Sequence, residues 1–170
     1  MSRFWSLLVL VGLLISACGQ QESPSQGSLQ LSSQAQLPYD ELADAAMQVQ
    51  QTLAEAQAAQ VPMLIIFGAN WCPDCRALDA SLHSANNAEL INRAFRVVKV
   101  DVGNFDKNLE LVHAYGNPIE KGIPAAVIVS SDNRVMYATR AGQLANARHM
   151  SDTGVYDFFK AAAQAAQQVQ

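Results

Sequence analysis

Trp71-Cys72-Pro73-Asp74-Cys75 lies between the apolar run Met63-Leu64-Ile65-Ile66-Phe67 and a segment that carries Leu78 and Leu82 at helical spacing. The run reads as a buried strand and the following segment as a helix. The two thiols therefore fall at a strand-to-helix junction, close enough to form a disulfide. A helix N-terminus favours negative charge and lowers the cost of ionising the first sulfur. Because only a thiolate attacks a disulfide, the pattern predicts dithiol–disulfide exchange at Cys72 and Cys75. It needs no cofactor beyond the redox-active disulfide that this pair can form.

Outward from the motif, apolar residues Leu42, Ala46, Val49, Leu53 and Ala56 predict a helix over 40–60, capped by Asp40 and ended near Pro62. Its acids Glu41, Asp44 and Glu55 mark a solvated face. His83-Ser84-Ala85 reads as a break, and Asn86 with Glu89 as a capping-box start for a second helix through Leu90, Ile91 and Ala94. Phe95 to Val102 is a β-branched run, and a helical crossover should set it parallel to the first strand. Residues 106–115 place Leu109, Val112 and Tyr115 on one helical face. Runs 125–129 and 135–139 flank the turn Ser130-Ser131-Asp132-Asn133 as an antiparallel hairpin. Ser151 caps a last helix that packs Val155, Phe158, Phe159 and Ala162 inward, with the Ala/Gln tail 161–170 fraying. The fold class is α/β: a central mixed β-sheet flanked by helices on both faces, in one layered domain over 38–170.

That order, with Trp-Cys-x-x-Cys after the first central strand, resembles the thioredoxin family. Gly122-Ile123-Pro124, immediately before a strand, is similar to the family's cis-proline loop, and Gly142 fits the pattern after the last strand. The likeness covers about residues 40–168. The break at His83–Asn86 looks like exported or membrane-linked bacterial members. The resemblance implies a thioredoxin-like fold, with Cys72 as nucleophile and Cys75, the more buried sulfur, resolving the mixed disulfide. It implies that Ile123 and Pro124 hold the substrate strand by β-augmentation, that Pro73 shapes the first helical turn, and that Trp71 covers the dithiol.

Two departures bear on mechanism. Ile66 stands where the family carries a buried Asp that helps proton transfer at the second cysteine, and Asn70 precedes Trp71 in place of an acid. Proton handling at Cys75 then falls to water or to Asp74. The charge of Asp74 opposes a nearby thiolate, and a strong oxidant needs its thiolate form stabilised. The expected protein is a reducing or moderately poised oxidoreductase, drawing electrons from a membrane-borne donor.

The first residues belong to targeting. Arg3 precedes an apolar stretch, Phe4 to Ala17, shorter than the roughly 18 residues of a membrane span. Leu14-Ile15-Ser16-Ala17-Cys18 resembles a bacterial lipobox, so residues 1–17 read as a lipoprotein signal and Cys18 as the lipidated first mature residue. Ordinary cleavage after Ala17-x-Gly19 and an uncleaved short anchor are the alternatives. All three place the domain outside the cytoplasm. By resemblance to enteric sorting signals, Gly19 favours the outer membrane, facing the periplasm. Residues 18–37 form a polar Gln/Ser/Pro/Gly tether spanning roughly 25 Å as a coil.

Removing Arg3 and no acid takes the formal net charge from −4 to −5. With no basic run, nucleic acid is not an expected partner; protein thiols and disulfides are. Cys72 and Cys75 make half a zinc site at most, with no second Cys pair, and His83, His113 and His149 lack ligand spacing to them. No metal is expected there. The histidines read as surface residues, although Arg148 and His149 sit in an irregular stretch, 143–150, able to border the active face. Tyr156, Phe158 and Phe159 read as core. An alternative from a second class is a Cu(I)-holding module for copper or haem protein assembly, since soft thiolates suit Cu(I).

Overall fold

A computed structural model of the chain describes residues 37–167. The expected signal peptide, the expected lipidation site Cys18 and residues 18–36 of the expected tether lie outside the described residues. The first helix, α1 (Ala45–Ala59), starts beyond the predicted position. Asp44 is its N-cap and takes the Met47 N–H at 2.9 Å. Asp40 instead accepts from Leu42 N at 3.0 Å, a local turn that competes with the helix. Leu42, expected on the buried face, is consequently 96% exposed.

The apolar run becomes strand β1 (Met63–Gly68), buried along its whole length. It pairs in parallel with β2 (Arg96–Asp101) and antiparallel with β3 (Ala125–Val129), and β3 pairs antiparallel with β4 (Val135–Ala138). The mixed sheet has the order β2-β1-β3-β4. A central strand covered on both faces needs apolar residues throughout, which is why its sequence is continuous rather than alternating.

The remaining helices are α2 (Pro73–Leu82), α3 (Ala85–Ala94), α4 (Leu109–Ala114) and α5 (Asp152–Gln167). The pleat of β1 divides the core in two. Met63, Ile65 and Phe67 pack with α1, α4 and both cysteines, whereas Leu64 and Ile66 pack with α2, α3 and α5. The expected helices on both faces are present.

The capping box expected at Asn86 and Glu89 does not form, because α3 begins earlier, with Ser84 as N-cap and no side-chain cap bond. The break is held from outside. Asn87 donates to the Ser81 carbonyl at 2.9 Å and to the Asp152 carbonyl at 3.1 Å, and the Ser81 hydroxyl donates to the Asp152 carboxylate at 2.6 Å. At the chain end, Ser151 caps α5 through Gly154 N at 3.1 Å as expected. The tail does not fray over 161–167: Ala162 and Ala166 are buried against the second core, and that burial carries the helix to Gln167.

Candidate active site

Cys72 is the N-cap of α2, in extended backbone with φ −76° and ψ 117°. Its sulfur accepts the Cys75 backbone N–H at 3.1 Å, one of the helix's otherwise unpaired donors. Pro73 fills the first helical position, where no N–H is required. Both cysteines are free thiols with little surface, 3% exposed for Cys72 and 1% for Cys75. Across 51 residues of sequence, the Cys72 thiol donates to the Ile123 carbonyl at 3.6 Å, and the Ile123–Pro124 peptide is cis. The dithiol and the Gly-Ile-Pro loop thus form one site. Gly142 backs the loop at φ +71°, where a Cβ would lie 2.9 Å from the Lys121 carbonyl oxygen.

Three further side chains, Tyr39, Asn70 and Glu41, complete the surroundings. Tyr39, just before α1, is buried, and its hydroxyl reaches β1 beside the second cysteine. A Cβ on Gly68 would stand 2.2 Å from the Tyr39 hydroxyl oxygen and 2.9 Å from the Cys75 sulfur, so the bare backbone of Gly68 is what lets these two atoms share one space. Asn70 clamps this segment in place. Its side-chain oxygen accepts from Tyr39 N at 3.0 Å, and its amide donates to the Tyr39 carbonyl and to Glu41, each at 2.8 Å. Glu41, expected on a solvated helix face, is therefore a partner of the active-site loop.

Burial above all, then the two sulfurs and Asp79, pushes the Tyr39 hydroxyl well above its ordinary value. Burial is also the main reason the Cys75 thiol is pushed up, with the hydrogen bond to Cys72 next; the Ala69 backbone and the Tyr39 hydroxyl pull the other way. Cys75 is thus a thiol that resists ionisation, consistent with a resolving role.

Asp74 is buried rather than facing the sulfurs as a free charge. Its carboxylate accepts the Arg148 backbone N–H at 3.0 Å and pairs with the guanidinium at 3.3 Å. The charge of Asp74, expected to oppose a nearby thiolate, is thus met by Arg148. The stretch 143–150 does border the active face, through Arg148. Trp71, expected to cover the dithiol, is 50% exposed and its indole is tied to the β2–α4 loop. The indole N–H donates to the Gly103 carbonyl at 2.8 Å, and the ring meets the half-exposed Phe105 edge-on, with centroids 6.1 Å apart.

With this geometry in hand, the comparisons are specific. A family model described as thioredoxin-like matches residues 44–131. The chain belongs to the thioredoxin-like family. It is 60% identical to a solved disulphide isomerase from Xylella fastidiosa Temecula1, covering 74% of this chain and 96% of that one with a TM-score of 0.73. A solved DsbH oxidoreductase shares the fold at 16% identity and a TM-score of 0.52, over 69% of this chain and 81% of that one. No curated protein matches the sequence.

As a thioredoxin-like protein carrying Cys72 and Cys75, the chain is a thiol–disulfide oxidoreductase. By the resemblance, Ile66 is expected where the family carries a buried acid. Ile66 is packed into the core beneath α2, α3 and α5, so no carboxylate occupies that place. Among the described residues no three His, Cys, Asp or Glu side chains gather as a metal ion would require. His83, His113 and His149 are all exposed.

Proposed function

We propose that this chain reduces or reshuffles disulfides of exported proteins, with a dithiol of reducing or moderate potential. The observation that carries the reading is the Cys72 sulfur, set at the start of α2 and against the Ile123 carbonyl beside Pro124. Cys72 attacks a substrate disulfide, one substrate sulfur leaves, and a mixed disulfide forms. The substrate chain lies along the Ile123–Pro124 backbone as an added strand. Cys75 then attacks the Cys72 sulfur, the second substrate sulfur leaves as a thiol, and the Cys72–Cys75 disulfide remains. The 60% identity to a protein described as a disulphide isomerase supports a shuffling role. Shuffling requires the dithiol to be reduced at rest, and a membrane-borne donor would supply the electrons.

The Leu14–Cys18 run supports an anchor through lipid at Cys18, with the domain tethered in the periplasm and the outer membrane favoured. Mass spectrometry of the mature N-terminus tests the anchor: a diacylated Cys18 is expected, and an unmodified Gln20 start would end it. Insulin reduction and reactivation of scrambled ribonuclease test the chemistry. Both should be lost in Cys72→Ser; activity surviving that change would remove the proposed nucleophile.

A further inference from the structure

The reaction above leaves one step without an agent. Cys75 must lose its proton to attack Cys72, yet its thiol is 1% exposed, Ile66 offers no carboxylate, and Asp74 is engaged by Arg148. The polar side-chain group beside Cys75 is the Tyr39 hydroxyl, brought to the shared space over Gly68. We propose that Tyr39 is a catalytic residue of the resolving step, its hydroxyl donating a hydrogen bond to the Cys75 sulfur as that sulfur becomes a thiolate. This inference rests on the dithiol reading above and names the group that serves its second half.

The geometry favours a donor rather than a base. Tyr39 is itself held well above its ordinary pKa by burial, so its proton stays on the oxygen across the working range. A neutral O–H can turn toward either form of the sulfur, accepting from S–H and donating to S⁻. The electron balance is that of ordinary exchange. The Cys72–substrate bond breaks, the Cys72–Cys75 bond forms, and the departing substrate sulfur takes the electron pair. The proton released by Cys75 reaches that departing sulfur directly or through water; Tyr39 keeps its own.

The other ionisable groups facing this space are accounted for. Cys72 and Asp79 act on Tyr39 through their charge, and Asp79 is in turn paired with Lys99 from β2 and contacts His83. Asp74 is paired with Arg148. Asn70 supplies the precision, because it holds Tyr39 by both backbone groups and leaves the ring untouched. Tyr39→Phe therefore removes the hydroxyl alone.

The two half-reactions can be read separately with the aromatic disulfide DTNB, which releases one coloured thiolate when Cys72 attacks and a second when Cys75 resolves. A hydrogen bond from a neutral donor to an anion is worth of order one pKa unit. Its loss cuts the thiolate fraction about tenfold, while the more basic thiolate regains roughly threefold in nucleophilicity. In Tyr39→Phe the first release should match wild type. The second should slow roughly three- to fourfold near neutral pH, which displaces the rising limb of its pH profile upward by about half a unit. An unchanged second release, or equal slowing of both, overturns the proposal and leaves the dithiol reading intact. Absence of the first release from the wild type overturns that reading, and this proposal with it.

Discussion

Asp74 and Arg148 meet across 74 residues of chain, the carboxylate taking both the backbone N–H and the guanidinium of the arginine at the first turn of α2. The contact fastens the loop before α5 to the helix that carries the dithiol. It also decides how the negative charge between the two cysteines is felt by them.

Arg148→Ala should therefore act twice. It leaves a buried carboxylate with only a backbone partner, costing about 1–3 kcal/mol of stability. It also removes the cation paired with Asp74, so the carboxylate opposes a thiolate more strongly and the reduction potential falls by about 10–30 mV. Asp74→Asn should shift the potential the opposite way. Equilibration with glutathione measures both, and shifts of the same sign in the two variants would refute the assignment.

Asn70→Ala removes three hydrogen bonds from the Tyr39–Glu41 segment and strands two backbone groups of Tyr39, one donor and one acceptor. The expected loss is about 2–3 kcal/mol in denaturant unfolding. Amide exchange at Tyr39 should accelerate more than exchange in β1. Protection that stays unchanged at Tyr39 would show that the clamp lies elsewhere.

The raised thiol of Cys75 couples redox state to pH. The folded protein holds this proton where the unfolded chain releases it, so the stabilisation is full below the ordinary thiol value of 9.0 and declines above it. The slope is about 1.4 kcal/mol per pH unit per proton. The oxidised form has no such proton, whereas the Tyr39 contribution, beginning near 10.0, affects both forms. Melting curves from pH 8 to 10 should show the reduced protein losing stability faster than the oxidised one; parallel losses would contradict the burial of Cys75.

Phe105 stands half-exposed against Trp71 at the rim of the site. An aromatic pair of this kind contributes about 0.5–1.5 kcal/mol beyond buried area. Phe105→Ala should raise KM for a protein substrate by about threefold to tenfold while leaving the DTNB reaction unchanged. Equal effects on both substrates would assign Phe105 to the fold rather than to docking.

The sheet and the dithiol–proline pairing were legible because each carries a local signature: a continuous apolar run, a Cys-x-x-Cys at a helix start, a Gly-Ile-Pro before a β-branched stretch. Helix starts were less legible. Asp40 and Asp44 are both good caps, and Ser84 competes with Asn86, so short-range chemistry alone left the choice open. The supporting residues were the least visible. Tyr39 lies 36 positions from Cys75 and Arg148 lies 74 from Asp74, with no periodicity linking them. Asn70 stood out only as a departure from the family pattern, and its partners could be found only in three dimensions.

The clamp on Tyr39 has a practical consequence for dissection. A fragment trimmed to the family-matched span 44–131 would keep both sulfurs and the proline loop while discarding Tyr39 at one border and Arg148 at the other. The minimal excisable unit of this oxidoreductase is wider than the span the family model matches, and assays on the shorter piece would describe a different catalyst.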